Sequence, residues 1–312
     1  MRRDDLARPQ FTVVTPVYNR RDVLHRPFES LLAQTNQDFE WILVDDGSTD
    51  CVQPLLEKFQ EVASFPVVLL SQANKGKHAA WNYAIREARG ELCVQLDSDD
   101  VCIPETIETF ARLWAEIPSE RRTSFSGINV LCFDPTTNEI VGDPYPTSPM
   151  DSNNLELDLI HQLQGEHWGC IRNDCLREFA FPDTDMSTCI PESVIWHRLA
   201  RKYSVRCVNV ALRGYFRDQT NALTKRTEST RDLYGDWYAN NSLLSEHLVY
   251  LWRNPKWLIR AAANTWRYAR HASIPFGQWS GALGGSLGIG LLFLPLGEML
   301  YRRDLAALGN RR

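Results

Sequence analysis

Residues 67–100, VVLLSQANKGKHAAWNYAIREARGELCVQLDSDD, hold the pattern that decides the fold. A continuous apolar run, Val67–Ser71, leads through Asn74-Lys75-Gly76-Lys77-His78 into a stretch with helical spacing, His78–Arg89. A second apolar run, Leu92–Leu96, follows and ends in Asp97-Ser98-Asp99-Asp100. Short, continuous, β-rich runs suit strands buried on both faces. A strand, a helix-length crossover and another strand make a βαβ unit with parallel strands. Upstream the same alternation recurs: FTVVT at Phe11–Thr15 and WILVD at Trp41–Asp45, with helical spacing over Arg21–Gln34 and Val52–Ala63. Another helix is expected after Pro104, a favoured first-turn residue. The fold class is therefore α/β: a Rossmann-like, mostly parallel sheet flanked by helices.

Downstream the alternation stops. Ser124–Phe133 reads as a strand, residues 134–138 (DPTTN) as a turn into Glu139–Val141, and the Pro/Ser/Asn-rich Tyr145–Asn154 as a loop. Pro191–Tyr203 reads as a helix and Val205–Leu212 as a strand. Past Thr230 the composition changes to a helical C-terminal extension. It holds Trp237, Trp252, Trp257, Trp266 and Trp279, and no Asp, Glu, Lys or Arg occurs from His271 to Gly297. Two regions are expected: a catalytic α/β domain over 8–230 and a helical, Trp/Arg-rich tail over 231–312.

Of the 312 residues, 44% are hydrophobic and 23% charged, which excludes wholesale disorder. The net charge of −5 argues against a nucleic-acid partner. The eight cysteines form no CxxC, so packed, reduced thiols are expected rather than a zinc site or a disulfide framework. Met1-Arg2-Arg3-Asp4-Asp5 carries no apolar run, so no signal peptide is expected and the expected location is cytoplasmic.

In a parallel α/β sheet, ligands bind outside the carboxyl ends of the strands. Here those ends read Thr15-Pro16-Val17-Tyr18-Asn19, Asp45-Asp46-Gly47-Ser48 and Asp97-Ser98-Asp99-Asp100. So many carboxylates at one sheet edge need cations to offset their repulsion. Asp97 and Asp99 suit a hard divalent ion, Mg²⁺ or Mn²⁺, which is usually held by one or two carboxylates plus substrate phosphates. Asn74-Lys75-Gly76-Lys77-His78 sits at a helix start, where N–H groups and lysines meet anionic oxygens. GGSLGIG at 284–290 follows no strand and carries no Lys, so it reads as close helix packing rather than a nucleotide loop.

TPVYN (15–19), VDDGSTD (44–50), NKGKHAAWN (74–82) and LDSDD (96–100), in that order, resemble glycosyltransferase family 2 and its GT-A fold, from about Phe11 to Thr224. The resemblance implies a nucleotide-sugar donor, most often a UDP-sugar, and an inverting transfer. It implies nucleotide contacts from Thr15, Pro16, Tyr18, Asp46, Lys77 and Asp97. It also implies a metal-binding DxD motif at Asp97-Ser98-Asp99, with Asp100 a further candidate ligand. The family carries its general base in an acidic pair at a helix start, before Trp-x-Arg. Glu192 falls on that position in Pro191-Glu192-Ser193-Val194-Ile195-Trp196-His197-Arg198, with Pro191 replacing the first acid. Glu166, His167, Trp168 and Arg217 are candidates for the substrate pocket. A packed core role competes for Trp168. Arg217-Asp218-Gln219-Thr220 is a candidate closure over the diphosphate.

In the tail, Arg253, Lys256, Arg260, Arg267 and Arg270 fall within one sector of a helix. Such a basic stripe with tryptophans suits an anionic membrane surface. The expectation is a peripheral enzyme on the inner face of the bacterial plasma membrane, acting on a glycan or lipid-linked acceptor. Three other readings compete: a non-catalytic nucleotide-sugar-binding scaffold, a haloacid-dehalogenase-like phosphatase using Asp97-Ser98-Asp99-Asp100-Val101, and a nucleotidyltransferase.

Overall fold

The computed structural model describes residues 7–187, 189–217 and 230–309. From the N-terminus the elements run β1 (Phe11–Val17), α1 (His25–Leu32), β2 (Phe39–Asp45), α2 (Gln53–Val62), β3 (Val67–Ser71), α3 (Lys77–Glu87) and β4 (Leu92–Gln95). Then come β5 (Val101–Cys102), α4 (Thr106–Ala115), α5 (Ser119–Arg122), β6 (Phe125–Phe133), β7 (Ile140–Val141), β8 (Met150–Ser152) and α6 (Asn154–Glu156). They continue with β9 (His167–Arg172), α7 (Asn173–Glu178), α8 (Ser193–Leu199) and β10 (Ser204–Gly214). The last five are helical: α9 (Thr230–Glu246), α10 (Leu248–Leu251), α11 (Pro255–His271), α12 (Phe276–Leu283) and α13 (Leu287–Gly309).

The chain divides into two compact units. The first holds residues 1–153, 163–180 and 199–219, and with them every described strand. Its sheet has the order β3-β2-β1-β4-β9-β6-β10-β5, with β7 on β6 and β8 on β10. The β3-β2-β1-β4 half is parallel throughout. Its strands are nearly continuous apolar runs because helices cover both faces; Phe11, Val13, Trp41, Leu43, Leu92 and Val94 are all buried in one core. Chain order reverses beside β1, whose neighbours are β2 and β4, and such a switch point opens a crevice at the strand ends.

The other half is mixed. β9 runs antiparallel between β4 and β6, and β6 pairs parallel with β10. Sequence patterning does not reveal β9, which is short and carries Gly169. There the backbones approach so closely that a Cβ at Gly169 would lie 1.8 Å from the Ile128 carbonyl oxygen. The stretch expected as a loop over 145–154 also contains β8, which pairs antiparallel with β10.

The second unit holds residues 154–162, 181–198 and 220–312. It takes in the composition-defined tail and two short segments from within 8–230. Gly235 shows why the second of these belongs: a Cβ there would lie 2.1 Å from the Cys189 carbonyl, so α9 passes against that segment without a side chain between. Arg198 of α8 bonds the Glu246 carboxylate of α9 at 2.9 and 2.7 Å. Gly297 of α13 lies against α11, where a Cβ would be 2.4 Å from the Ala263 carbonyl. Trp279 is fully buried and donates its indole N–H to the Thr265 hydroxyl at 3.2 Å.

Candidate active site

The four motifs meet at the carboxyl ends of the parallel strands. After β1, Asn19 adopts φ 53° and its side-chain oxygen accepts from the Thr49 N–H at 2.7 Å. Its own N–H donates to the Ser48 hydroxyl at 3.0 Å, so the loops after β1 and β2 are interlocked. Gly47, in the loop after β2, has φ +75° and lies against the loop after β3, where a Cβ would be 2.9 Å from the Asn74 nitrogen. Only glycine combines that conformation with that approach.

Asp46 is 3% exposed. Its carboxylate accepts from Gln72 Nε2 (2.7 Å), the Lys75 N–H (2.9 Å) and the Gly76 N–H (2.8 Å). The acid that the family resemblance sets against the nucleotide base thus holds the 72–76 loop, which opens α3. Thr15 is buried too, its hydroxyl accepting from the Trp41 indole at 2.9 Å, and Pro16 is half-buried. Of this loop's three candidates, Tyr18 presents the most open side chain.

Lys77, the first residue of α3, reaches Asp97 Oδ1 at 2.7 Å. Arg213 Nη2 reaches Asp97 Oδ2 at 2.8 Å. Arg213 Nε also donates to Asp100 Oδ2 at 2.7 Å, and its Nη2 bonds the same oxygen. Asp100 Oδ1 accepts from the Phe216 N–H at 3.2 Å. One polar network therefore runs from the end of β2 through the start of α3 and the end of β4 to the residues after β10. Arg213 is placed there by register, since β10 sets it opposite Cys102 of β5, two residues beyond Asp100.

This charge arrangement sorts the three acids. Burial pushes Asp97 up, but Lys77 and Arg213 outweigh it and hold the carboxyl well below the usual range. Burial and the Asp97 charge push Asp99 up. Burial, partly offset by Arg213, raises Asp100. Asp100, a candidate metal ligand from sequence, is engaged by Arg213 and by the Phe216 backbone, so its oxygens face the protein. Asp99 is half-buried, and its carboxyl suits a divalent cation because such a charge would relieve both causes of its shift. Among the described residues no three His, Cys, Asp or Glu side chains already converge as a metal cluster.

Of the pocket candidates, Trp168 belongs to the core. It is buried, lies 5.4 Å from the Phe110 ring, and donates its indole N–H to the Gln95 carbonyl. A ring so covered offers no face to a sugar; it supports the strand that ends in Asp97. His167 Nε2 lies 2.8 Å from the Asp143 carbonyl, its ring 5.0 Å from Tyr145. Glu166 is half-buried, and its N–H donates to Val141 at 3.2 Å. Arg217 is exposed, 4.0 Å from Asp134, while Asp218, Gln219 and Thr220 lie outside the described residues. Glu192 belongs to the second unit, half-buried one residue before α8, where its carbonyl accepts the first helical hydrogen bonds, from Ile195 and Trp196.

Arg213, Gln72 and Ser48 carry much of this geometry without standing out in the sequence. Sequence gives Arg213 no more weight than Arg206 on the same strand; burial against Asp97 and Asp100 singles it out.

Residues 12–138 match the family model described as "Glycosyl transferase family 2". An "Uncharacterized glycosyltransferase alr2836" of Nostoc sp. is 35% identical over 105 residues, 34% of this chain and 33% of that protein. An undecaprenyl-phosphate 4-deoxy-4-formamido-L-arabinose transferase of Pseudomonas fluorescens is 37% identical over 100 residues, 31% of this chain and 29% of that protein. The match thus spans about a third of each relative's length. In fold, the chain is similar to Staphylococcus aureus TarS 1–349, crystallised with UDP-GlcNAc. The TM-score is 0.60 at 17% identity, over 95% of this chain and 92% of that one. All four strand-end motifs lie within residues 12–138, the segment that is similar to glycosyltransferase family 2.

Proposed function

We propose that the protein transfers a sugar, with inversion, from a UDP-sugar to a hydroxyl of a glycan or lipid-linked acceptor in cell-surface polysaccharide or glycolipid assembly. The observation that carries this reading is the network at the switch point. Around Asp97, Lys77 and Arg213 tie the end of β4 to the start of α3 and to β10.

In this reading Tyr18 and the backbone of Thr15-Pro16 receive the base, and Asp46 fixes the 72–76 loop beside them. Lys77 sits where it can meet the diphosphate as well as Asp97. A bound Mn²⁺ or Mg²⁺ supplies Lewis-acid stabilisation of the leaving diphosphate. Asp99, with Asp97 beside it, is the carboxyl that holds this ion. An acceptor hydroxyl is a poor nucleophile, and Glu192 takes its proton as the anomeric bond breaks. Glu166, His167 and Arg217 are the remaining candidates for sugar and acceptor contacts. The tail attaches the enzyme to the cytoplasmic face of the membrane.

The test is a UDP-sugar panel with Mn²⁺ or EDTA, on wild type and Asp99→Ala. One donor is expected to release UDP in a metal-dependent way, at least 100-fold more slowly in Asp99→Ala. Absence of binding to every UDP-sugar removes the donor assignment. Binding without release, across acceptors, favours the scaffold reading.

A further inference from the structure

Three of the five cations of the basic stripe pair with acids of the same unit, while Arg253, Lys256, Arg260 and Arg270 stay exposed. Arg267 bonds Asp304 at 2.6 Å, Arg270 lies 3.7 Å from Glu298, and Arg253 lies 3.6 Å from Glu156. Two of these pairs hold α13 against α11. A different surface of the same unit is left open. The helical stretch Phe276–Ala307 is long and apolar enough for a membrane span, yet only 22% of its most apolar window is buried. A core helix of a soluble protein would be mostly covered.

On α13 the exposed positions are Gly288, Leu292, Pro295 and Met299, spaced 4, 3 and 4 apart and so on one face. Leu292 is 71% and Met299 58% exposed. Leu291 and, at the start of α12, Phe276 are exposed as well. Gly281, Gly285 and Gly288 have nothing within 4 Å of a Cβ position, so the face carries no covering neighbour there. The next exposed residues along it are Arg302 and Arg303. Glu298 and Asp304, the nearby acids, accept from Trp266 and Arg267 of α11 and also pair with Arg302 (3.0 Å) and Arg303 (3.8 Å). Four arginines, Arg267, Arg270, Arg302 and Arg303, share these two acids, so the border of the apolar face carries a net positive charge, with Arg302 and Arg303 its most exposed members.

We infer that α12–α13, rather than the α11 stripe, is the surface this protein presents to lipid. The Leu291/Leu292/Met299 face of α13 enters the acyl boundary of an anionic bilayer, with Arg302 and Arg303 at the headgroups. This inference rests on the membrane part of the proposed function and replaces its basic stripe with a defined face. The cationic border selects a lipid surface over an equally apolar protein partner, because anionic headgroups complement it. The break between α12 and α13 at Gly284, where φ is +50°, selects an interfacial position, because it divides the uncharged stretch into two short helical pieces. The uncharged part of α13, residues 287–297, is about 16 Å long at 1.5 Å per residue, half of a hydrocarbon core of roughly 30 Å. It reaches one leaflet and does not cross.

The experiment is flotation of the full-length chain with vesicles of phosphatidylcholine alone or with phosphatidylglycerol. The variants are Leu292→Asp/Met299→Asp and, for the stripe, Lys256→Glu/Arg260→Glu. Wild type is expected to float with the anionic vesicles. The apolar-face variant is expected to lose at least tenfold in partitioning, the stripe variant less than threefold. Because Leu292 and Met299 are exposed, both proteins should keep the same thermal midpoint and the same UDP-sugar hydrolysis; that keeps failure here separate from failure of the enzymatic reading. Equal flotation of wild type and the apolar-face variant overturns the inference. So does a wild type that ignores vesicles, whether it is monomeric or a dimer that the substitutions split.

Discussion

Arg213 is the side chain on which the candidate site's geometry depends most. It is buried, and its guanidinium serves two carboxylates. Removing one partner of a buried ion pair leaves the other charge uncompensated, which costs about 3–5 kcal/mol. Arg213→Gln is therefore expected to lower the stability of the strand-bearing unit by about 3 kcal/mol, read from urea unfolding. Asp100→Asn should cost stability too, since its one amide oxygen can accept from Arg213 or from the Phe216 N–H but not both, and its NH2 then faces a donor. If Arg213→Gln unfolds like wild type, the clamp is not structural. Asp99 is the contrasting case: Asp99→Ala should leave the unfolding midpoint within about 0.5 kcal/mol, as substitutions outside packed features usually do, while removing metal-dependent turnover.

At the level of elements, the helical unit is held by carboxylate–arginine pairs as well as by its core. Burial pushes Glu246 up, but the Arg198 and Ser242 hydrogen bonds outweigh it and the carboxyl lies below its ordinary range. Asp304 is likewise raised by burial and brought lower overall by Arg267 and His271. For an acid depressed in the folded state, the stabilisation is present above its unfolded pKa, roughly 4 for Asp and Glu. It is lost as pH falls through the folded value. The helical unit is thus expected to loosen below about pH 4, seen as a drop in the near-ultraviolet dichroism of its tryptophans. Glu246→Gln should weaken the pH dependence. A melting profile flat from pH 7 to pH 3 would show that these pairs contribute nothing.

The whole molecule carries eight free cysteines. Cys51 is exposed, Cys189 half-buried, and the other six are buried. Burial pushes the Cys102, Cys132, Cys170 and Cys207 thiols up to about 12, so they are protonated and unreactive at neutral pH. A thiol reagent is expected to modify Cys51 rapidly in the native protein, and all eight only after denaturation. Fast labelling of six or more would mean that the packing around the sheet opens readily.

What the amino-acid sequence determined by itself is local and periodic. Strands β1 to β4 and helices α1 to α3 were legible because apolar runs of five or so residues alternate with helical spacing. The acidic turns after β2 and β4 were legible because polar clusters interrupt those runs at strand ends. The fate of each carboxylate depended on residues distant in the chain. Asp46 is bound by residues 72–76, and Asp97 by residues 77 and 213. Trp168 looked equally suited to a sugar and to a core, and packing under Phe110 decided between them. In the tail, sequence showed five cations on one helical sector. Only the pairing of α11 with α13 decided that Arg267 and Arg270 face acids on a neighbouring helix and that an uncharged face is left outward. Periodicity shows which residues share a face. What that face meets is set by burial and pairing between segments far apart in sequence, which only the folded chain brings together.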